Sequence, residues 1–205
     1  MTDSRELAVT EKPCGPDEHP LQHTYEFSYF FRPAGVFNPE DYSKYVQTAA
    51  IVNSVEQFWR VYCHMVRPCD FVKKGELHFF KKDIKPTWED EENKKGGKSI
   101  LRIKKGTASR IWENLLMAII GEQFDVEDDI CGAVCSVRRD EDIISIWNRS
   151  ADDFPIRNRI RDTLGQVLNL PAGTLVEYKR HDDCLKDKSS YRHSRGDVYE
   201  FCGNV

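Results

Sequence analysis

An α+β fold, with helices on one face of an antiparallel sheet and the other face left for a ligand, is what this 205-residue sequence predicts. Three observations carry that expectation. Several segments alternate apolar and polar residues with period two, the signature of half-buried strands. Three others place apolar residues at helical spacing. Adjacent strand segments are joined by short turns, and the helices do not fall into regular strand–helix–strand repeats, so the pairing is antiparallel.

The elements follow in order. Residues 1–18 are polar and carry Pro13, Gly15 and Pro16, which reads as a disordered leader. Structure begins at His19-Pro20-Leu21, after which Tyr25, Phe27, Tyr29 and Phe31 alternate with Glu26 and Ser28 as a strand. A loop with Pro33, Gly35 and Pro39 leads to a weaker strand over residues 48–52. Ser54 caps a helix whose Val55, Phe58, Trp59, Tyr62 and Met65 share a face. Residues 75–80 form a short strand, a polar loop holds Trp88, and Ile100, Arg102 and Lys104 alternate with Leu101 and Ile103 in the next strand. A second helix covers residues 108–120, with Ile111, Trp112, Leu115, Leu116 and Ile119 inward, and stops at Gly121. Strands over 132–139 and 142–148, rich in β-branched residues, meet at a tight charged turn. A third helix spans 156–168 on Ile160, Leu164, Val167 and Leu168, and a last strand runs over 174–180. The polar tail from His181 is expected to be mobile or to order only on binding.

Composition narrows the function. With 40% hydrophobic residues the chain can build one domain with a sizeable core. A net charge of −4, from 30 Lys and Arg against 34 Asp and Glu, argues against a protein that grips long nucleic acid through many phosphates, so any such contact is short and local. No stretch approaches the ~18 apolar residues of a membrane span, and no secretory h-region is present. Seven cysteines without a C-x2-C pair read as reduced thiols in a cytosolic or nuclear protein.

Several motifs fail on inspection. Gly97-Lys98-Ser99 resembles the end of a phosphate-binding P-loop, but the glycine needed five positions before Gly97 is Glu92, whose carboxylate repels phosphate. His19 and His23 are four apart, yet Pro20 and the strand pattern deny them a shared helix face, so no metal or cofactor is assigned. Cys131 and Cys135 are placed on one strand face with Ala133 and Val137, as core packing. No nucleophile–base pair or carboxylate couple defines an active site, and the chain reads as a non-enzyme.

Trp88 is different. It lies between Pro86 and the acidic run that starts at Glu89, which is loop chemistry rather than core chemistry. An aromatic face beside a carboxylate suits a flat, cationic, hydrogen-bond-donating ligand. Trp147 ends the strand Ile143-Ile144-Ser145-Ile146-Trp147, and Arg138 and Arg139 close the preceding one. Singly, a Trp after branched aliphatics reads as core; together these residues read as a binding site.

In this order the pieces resemble the eukaryotic translation initiation factor 4E family, which binds the 7-methylguanosine cap of mRNA. The matching segments are His19-Pro20-Leu21, Ser54-Val55-Glu56-Gln57-Phe58-Trp59, Ile84-Lys85-Pro86-Thr87-Trp88-Glu89-Asp90, Asn93-Lys94-Lys95-Gly96-Gly97-Lys98, Gly121-Glu122-Gln123-Phe124, Cys131-Gly132-Ala133-Val134, residues 142–147 and Leu168-Asn169-Leu170-Pro171. Met65-Val66-Arg67-Pro68, Arg161-Asp162-Thr163-Leu164 and Glu177-Tyr178-Lys179 are closest to the class II branch, the 4E-homologous cap-binding proteins. The match covers residues 19–182, implying a cap-binding domain there and a C-terminal loop or tail over 183–205.

The resemblance implies a curved antiparallel sheet backed by three helices on its convex face, with the cap in the concave face. It implies that Trp88 and Tyr42, or Tyr45 if the loop is placed differently, sandwich the methylated guanine, that Glu89 reads its donor edge, and that Trp147 closes on the methyl group. Arg138, and less directly Lys98, match the family's phosphate-binding cations. The family's further lysine falls on Ile143, Asp140 replaces another basic residue, and the tail lysine has no clear counterpart, with Lys186, Lys188, Arg192 and Arg195 as substitutes; weaker cap binding than that of the major factor follows. Ser99 stands where the family usually carries Trp. Partners with a Tyr-x4-Leu-apolar motif are expected to dock on His19, Pro20, Val55, Trp59, Asn114, Met117 and Gly121. Glu113-Asn114, in place of Leu-Glu, favours repressors over the initiation scaffold. The expectation is a monomeric, cytoplasmic, non-enzymatic regulator of translation, with an initiation factor serving selected mRNAs, a cap-processing enzyme or a pure interaction module as alternatives.

Overall fold

The computed structural model describes residues 11–33, 35–38, 41–190 and 197–201. Among them the chain forms one eight-stranded sheet: β1 (Pro20–Phe31), β2 (Val46–Ser54), β3 (Gly75–Lys81), β4 (Gly97–Ile103), β5 (Ile130–Val137), β6 (Asp142–Asn148), β7 (Leu175–Arg180) and β8 (Val198–Glu200). The strand order is β2-β1-β3-β5-β6-β4-β7-β8, with every neighbouring pair antiparallel. Helices α2 (Val55–Tyr62), α3 (Ala108–Ile120) and α4 (Phe154–Val167) pack on one face, and two short ones, α1 (Tyr42–Tyr45) and α5 (His181–Asp187), precede β2 and follow β7. The expected α+β architecture with three helices backing an antiparallel sheet is the one observed.

Period decides which residues meet. From the helices, Phe58 and Tyr62, Trp112, Leu115 and Ile119, and Ile160 and Leu164 bury against Tyr25, Phe27, Leu77, Phe79, Leu101, Ile144 and Ile146 of the sheet. Ser54 caps α2 by accepting the Gln57 N–H at 3.1 Å, and Asp153 caps α4 by accepting that of Ile156 at 3.0 Å. Two inward assignments need trimming. Met65 lies beyond the end of α2, although it still packs against the core, and Phe31, the last residue of β1, is 40% exposed. The α3 terminus is at Gly121 as expected, but the left-handed turn falls on Glu122.

The cysteine assignment is corrected by a bulge. The β5–β6 register shifts between Ile130 and Gly132, so Cys131 is an extra residue and the face parity slips there. Cys135, Ala133 and Val137 stay in the helix-side core, whereas Cys131 joins Phe80, Ile84, Val134 and Trp147 on the opposite face. Residues 1–10 of the expected leader and 202–205 of the tail lie outside the described residues, and the described residues next to them form contacts. The tail expected to be mobile from His181 forms α5, with His181 and Cys184 buried, and then β8, which pairs with β7. Within residues 11–18 of the expected leader, Glu18 accepts hydrogen bonds from Ser54, Gln57 and Arg60; the Gly15 N–H and these donors hold its carboxyl at about 2. Pro39, Arg192 and Arg195 lie outside the described residues.

Candidate functional site

Opposite α2, α3 and α4 the sheet presents a row of paired positions: Lys179, Lys98, Trp147, Gly132, Phe80 and Glu26, one from each of six adjacent strands. Cross-strand partners share a face, so register alone sets a lysine pair beside two aromatics. Gly132 is what the row requires at its centre, since a Cβ there would lie 2.5 Å from the Phe79 carbonyl oxygen and from Phe80 Cγ. Across that gap Phe80 meets Trp147 edge to face, with ring centroids 5.4 Å apart at 81°. Trp147 is buried, donates Nε1–H to Ser145 Oγ at 3.2 Å, and carries the His181 ring 4.2 Å away. Burial keeps His181 neutral, well below the usual imidazole value, reinforced by the nearby Lys98 charge.

Trp88 comes from the loop between β3 and β4 and is half-buried against the Phe80–Trp147 cluster. The loop is tied internally. Asn93 Nδ2 donates to the Lys85 and Thr87 carbonyls, both at 2.8 Å, and the Asp90 carboxylate accepts the Lys85 and Glu92 N–H groups at 3.1 Å. Gly96 lets the loop touch β6, for a Cβ there would fall 1.9 Å from the Asn148 carbonyl oxygen. Asp90 and Asn93 thus build the loop, while Glu89 is exposed and, among the described residues, its carboxylate is uncommitted. The Lys98 ammonium, fully buried, sits 5.7 Å from the Trp88 ring centre and 5.1 Å from that of Trp147. Burial pushes its pKa down to about 8.

Tyr42 is brought to the same side of the sheet. Its ring lies 4.6 Å from that of Phe30, and its hydroxyl is 2.8 Å from Glu76 Oε2 and 2.9 Å from His78 Nε2. An ionised Glu76 only accepts, so Tyr42 donates to it and accepts from His78 Nε2–H, which leaves His78 Nδ1 to accept from Ser28 Oγ at 3.2 Å. Glu76 also accepts from Ser136 at 2.8 Å and stands 3.8 Å from Arg138 Nη2. Tyr45, the alternative, is 42% exposed and packs on Phe37. Between Ser43, Glu26, Ser28, Phe80 and residues 84–87 opens a cavity of about 330 Å³. It separates the Tyr42 turn from the segment that leads to Trp88.

The structure therefore gathers Trp88, Lys98 and Trp147, sets Tyr42 and Arg138 on the Glu76 network beside them, and leaves Glu89 exposed next to Trp88. Sequence reasoning missed Glu76, His78, Lys179 and His181. The period of residues 174–180 puts Lys179 on one face of its strand but does not say which strand lies beside it. Of the substitute tail cations, Lys186 is exposed and 3.8 Å from Asp183. Arg102, cross-strand from Ile143, is engaged by Glu141 and Glu177 at 2.6 and 2.9 Å.

The expected partner residues fall in two groups. Val55 N–H donates to the His19 carbonyl at 2.9 Å and Pro20 pairs with Ser54, which sets His19 and Pro20 at the start of α2, the helix that carries Val55 and Trp59. His19 Nδ1 is 2.7 Å from Glu56. Trp59 is half-buried, edge-on to Phe58 and Tyr62. Asn114, Met117 and Gly121 form a stripe of α3 at i, i+3 and i+7, with Met117 and Gly121 exposed.

Comparison with known proteins accords with this geometry. The family model "Eukaryotic initiation factor 4E" matches residues 20–196. The chain is 59% identical over 192 residues to eukaryotic translation initiation factor 4E-4 of Caenorhabditis elegans, covering 94% of this chain and 91% of the relative. It is 42% identical over 194 residues to eukaryotic translation initiation factor NCBP of Arabidopsis thaliana, covering 95% and 87%. The structure superposes on Ascaris suum eIF4E-3 in complex with m7G cap with a TM-score of 0.75, 30% identity and coverage of 88% of this chain and 97% of that one. On C. elegans eIF4E-3 bound to the 4E-binding protein Mextli and a cap analog the TM-score is 0.77, with 32% identity and coverage of 82% and 96%. A family model spanning nearly the whole described chain, on the fold and aromatic row just described, means that this protein belongs to the eukaryotic initiation factor 4E family.

Proposed function

We propose that this protein binds the 7-methylguanosine cap of mRNA between Trp88 and Tyr42 and regulates translation as a class II member of its family. The observation that carries the reading is the half-buried Trp88 beside an uncommitted Glu89, with a lysine ammonium already lodged against Trp88 and Trp147. That setting accommodates a cation on aromatic faces, which is what N7-methylated guanine offers and plain guanine does not. Glu89 accepts the N1–H and N2–H donors as a charge-assisted pair, Trp147 borders the methyl group, and Lys98 and Arg138 meet the phosphates. The cavity leaves room for a base without rebuilding the sheet. Solved relatives in complex with m7G and m2,2,7G caps support the ligand class. The action is recognition, not catalysis.

A 4E-binding protein bound to a relative supports a second, protein-binding face, for which His19, Pro20, Val55, Trp59, Asn114, Met117 and Gly121 are the residues and a Tyr-x4-Leu-apolar segment the ligand. Among the described residues no helix is long and apolar enough to cross a membrane. We place the protein in the cytoplasm as a monomer.

Tryptophan fluorescence titrated with 7-methyl-GTP and with GTP tests the cap reading. Quenching by the methylated nucleotide and its loss in Trp88→Ala is the expected result; equal responses to both nucleotides sink it. Capture of the initiation scaffold by the same protein would mark it as an initiation factor proper, and failure to capture it as a repressor.

A further inference from the structure

The row that carries Lys98 continues one strand further. Lys98 of β4 pairs with Lys179 of β7, so both side chains leave the same face side by side, and they are 0% and 1% exposed. Two ammonium groups withdrawn from water together are costly unless anions answer them. On Lys179 the answer is Asp187, the last residue of α5, whose Oδ2 accepts from Nζ at 2.6 Å; the Ser189 carbonyl accepts a second bond at 2.9 Å. The Asp187 side chain is 38% exposed, so this carboxylate reaches solvent while the cation it holds does not. Among the described residues, Glu76, Arg138, Cys184 and His181 also act on Lys98, and the Glu76 carboxylate is hydrogen-bonded to Tyr42 and Ser136.

We propose that Lys98 and Lys179 form one row that seats the cap phosphates, Lys179 taking the distal ones, and that Asp187 holds Lys179 until those phosphates displace it. The proposal rests on the cap reading and adds to it a residue and a gate. Adjacent strands lie about 4.8 Å apart, so Lys179 is roughly 10 Å across the sheet from Trp147, with Lys98 midway. A base held against Trp147 brings a single phosphate no further than Lys98, whereas a triphosphate spans the row. Charge-assisted bonds from a polyphosphate to two ammoniums exceed what one solvent-exposed carboxylate gives to one of them. The seat thereby supplies a cation where Ile143 offers none and where its cross-strand neighbour Arg102 is engaged by Glu141 and Glu177.

The test titrates the full chain, Lys179→Met and Asp187→Asn with 7-methyl-GMP, 7-methyl-GTP and GTP. Lys179→Met should weaken 7-methyl-GTP binding about tenfold and leave 7-methyl-GMP within about twofold. Asp187→Asn should tighten 7-methyl-GTP about threefold or more, with 7-methyl-GMP again unchanged. A gain in affinity cannot come from damaged folding, so the second variant guards the first. Equal losses for both methylated nucleotides in Lys179→Met, or unchanged or weaker 7-methyl-GTP binding in Asp187→Asn, would overturn the seat and leave the cap reading standing. A wild-type chain that does not prefer 7-methyl-GTP to GTP overturns the cap reading, and the seat with it.

Discussion

Burial holds the Lys98 ammonium near 8, with Cys184 and Glu76 pulling it back up and Lys179 and Arg138 pushing it further down. An unfolded lysine titrates near 10.4. Between those values the unfolded chain keeps a proton that the folded one has lost, so from this group stability rises with pH through that window. A bound polyphosphate favours the ammonium instead. Cap affinity is then full below pH 8 and falls by up to about tenfold per pH unit above it. Lys98→Arg stays charged and should lose this fall relative to wild type, and identical pH profiles of 7-methyl-GTP binding would rule Lys98 out as a phosphate ligand. Glu76 runs the other way: burial opposes its ionisation, but the adjacent His78 ring and the donors from Ser136 and Tyr42 outweigh that and hold it at about 2. The resulting stability is complete above the ordinary value of 4.5 and is lost as pH drops toward 2. Tyr42→Phe removes one donor and should move the acid-unfolding midpoint, followed by near-ultraviolet circular dichroism, to higher pH.

At the scale of elements, small local devices decide which face a residue serves. The bulge at Cys131 moves one thiol from the helix-side core to the cluster under Trp88, a change that period-two reading cannot register. Ser54 both ends β2 and caps α2, so Ser54→Ala should cost about 1 kcal/mol in urea unfolding with no change in denaturant slope. Gly96 ties the Trp88 loop to β6. Gly96→Ala forces backbone apart and should lower stability by about 1–3 kcal/mol, together with cap affinity. Intact 7-methyl-GTP binding in that variant would show that the loop adjusts without moving Trp88.

The sheet separates the two proposed binding surfaces. Trp88 lies on the face opposite α2, α3 and α4, and Trp59 on α2 itself. Sites with no shared partners act independently. Trp59→Ala should weaken a Tyr-x4-Leu-apolar peptide about tenfold or more while 7-methyl-GTP affinity stays within about twofold, and Trp88→Ala the reverse. Calorimetry with both ligands checks it; parallel losses in either variant would mean that the two faces are coupled.

Periodicity, capping residues and turn chemistry are local, and they suffice for the α+β class, the three long helices, the Ser54 cap, the Gly121 terminus and the setting of Trp88 in a loop. The same local logic missed α5 at the start of the tail. His181 and Cys184 are too sparse to signal an element by composition, and they are buried only because β7 delivers them to Trp147 and Lys98. Sequence by itself singled out Trp88, Glu89, Trp147 and Arg138, but not Glu76, His78, Lys179 or His181. Tertiary structure alone decided that Lys179, Lys98, Trp147 and Phe80 stand in one row, because strand order and register set side by side residues far apart in the chain.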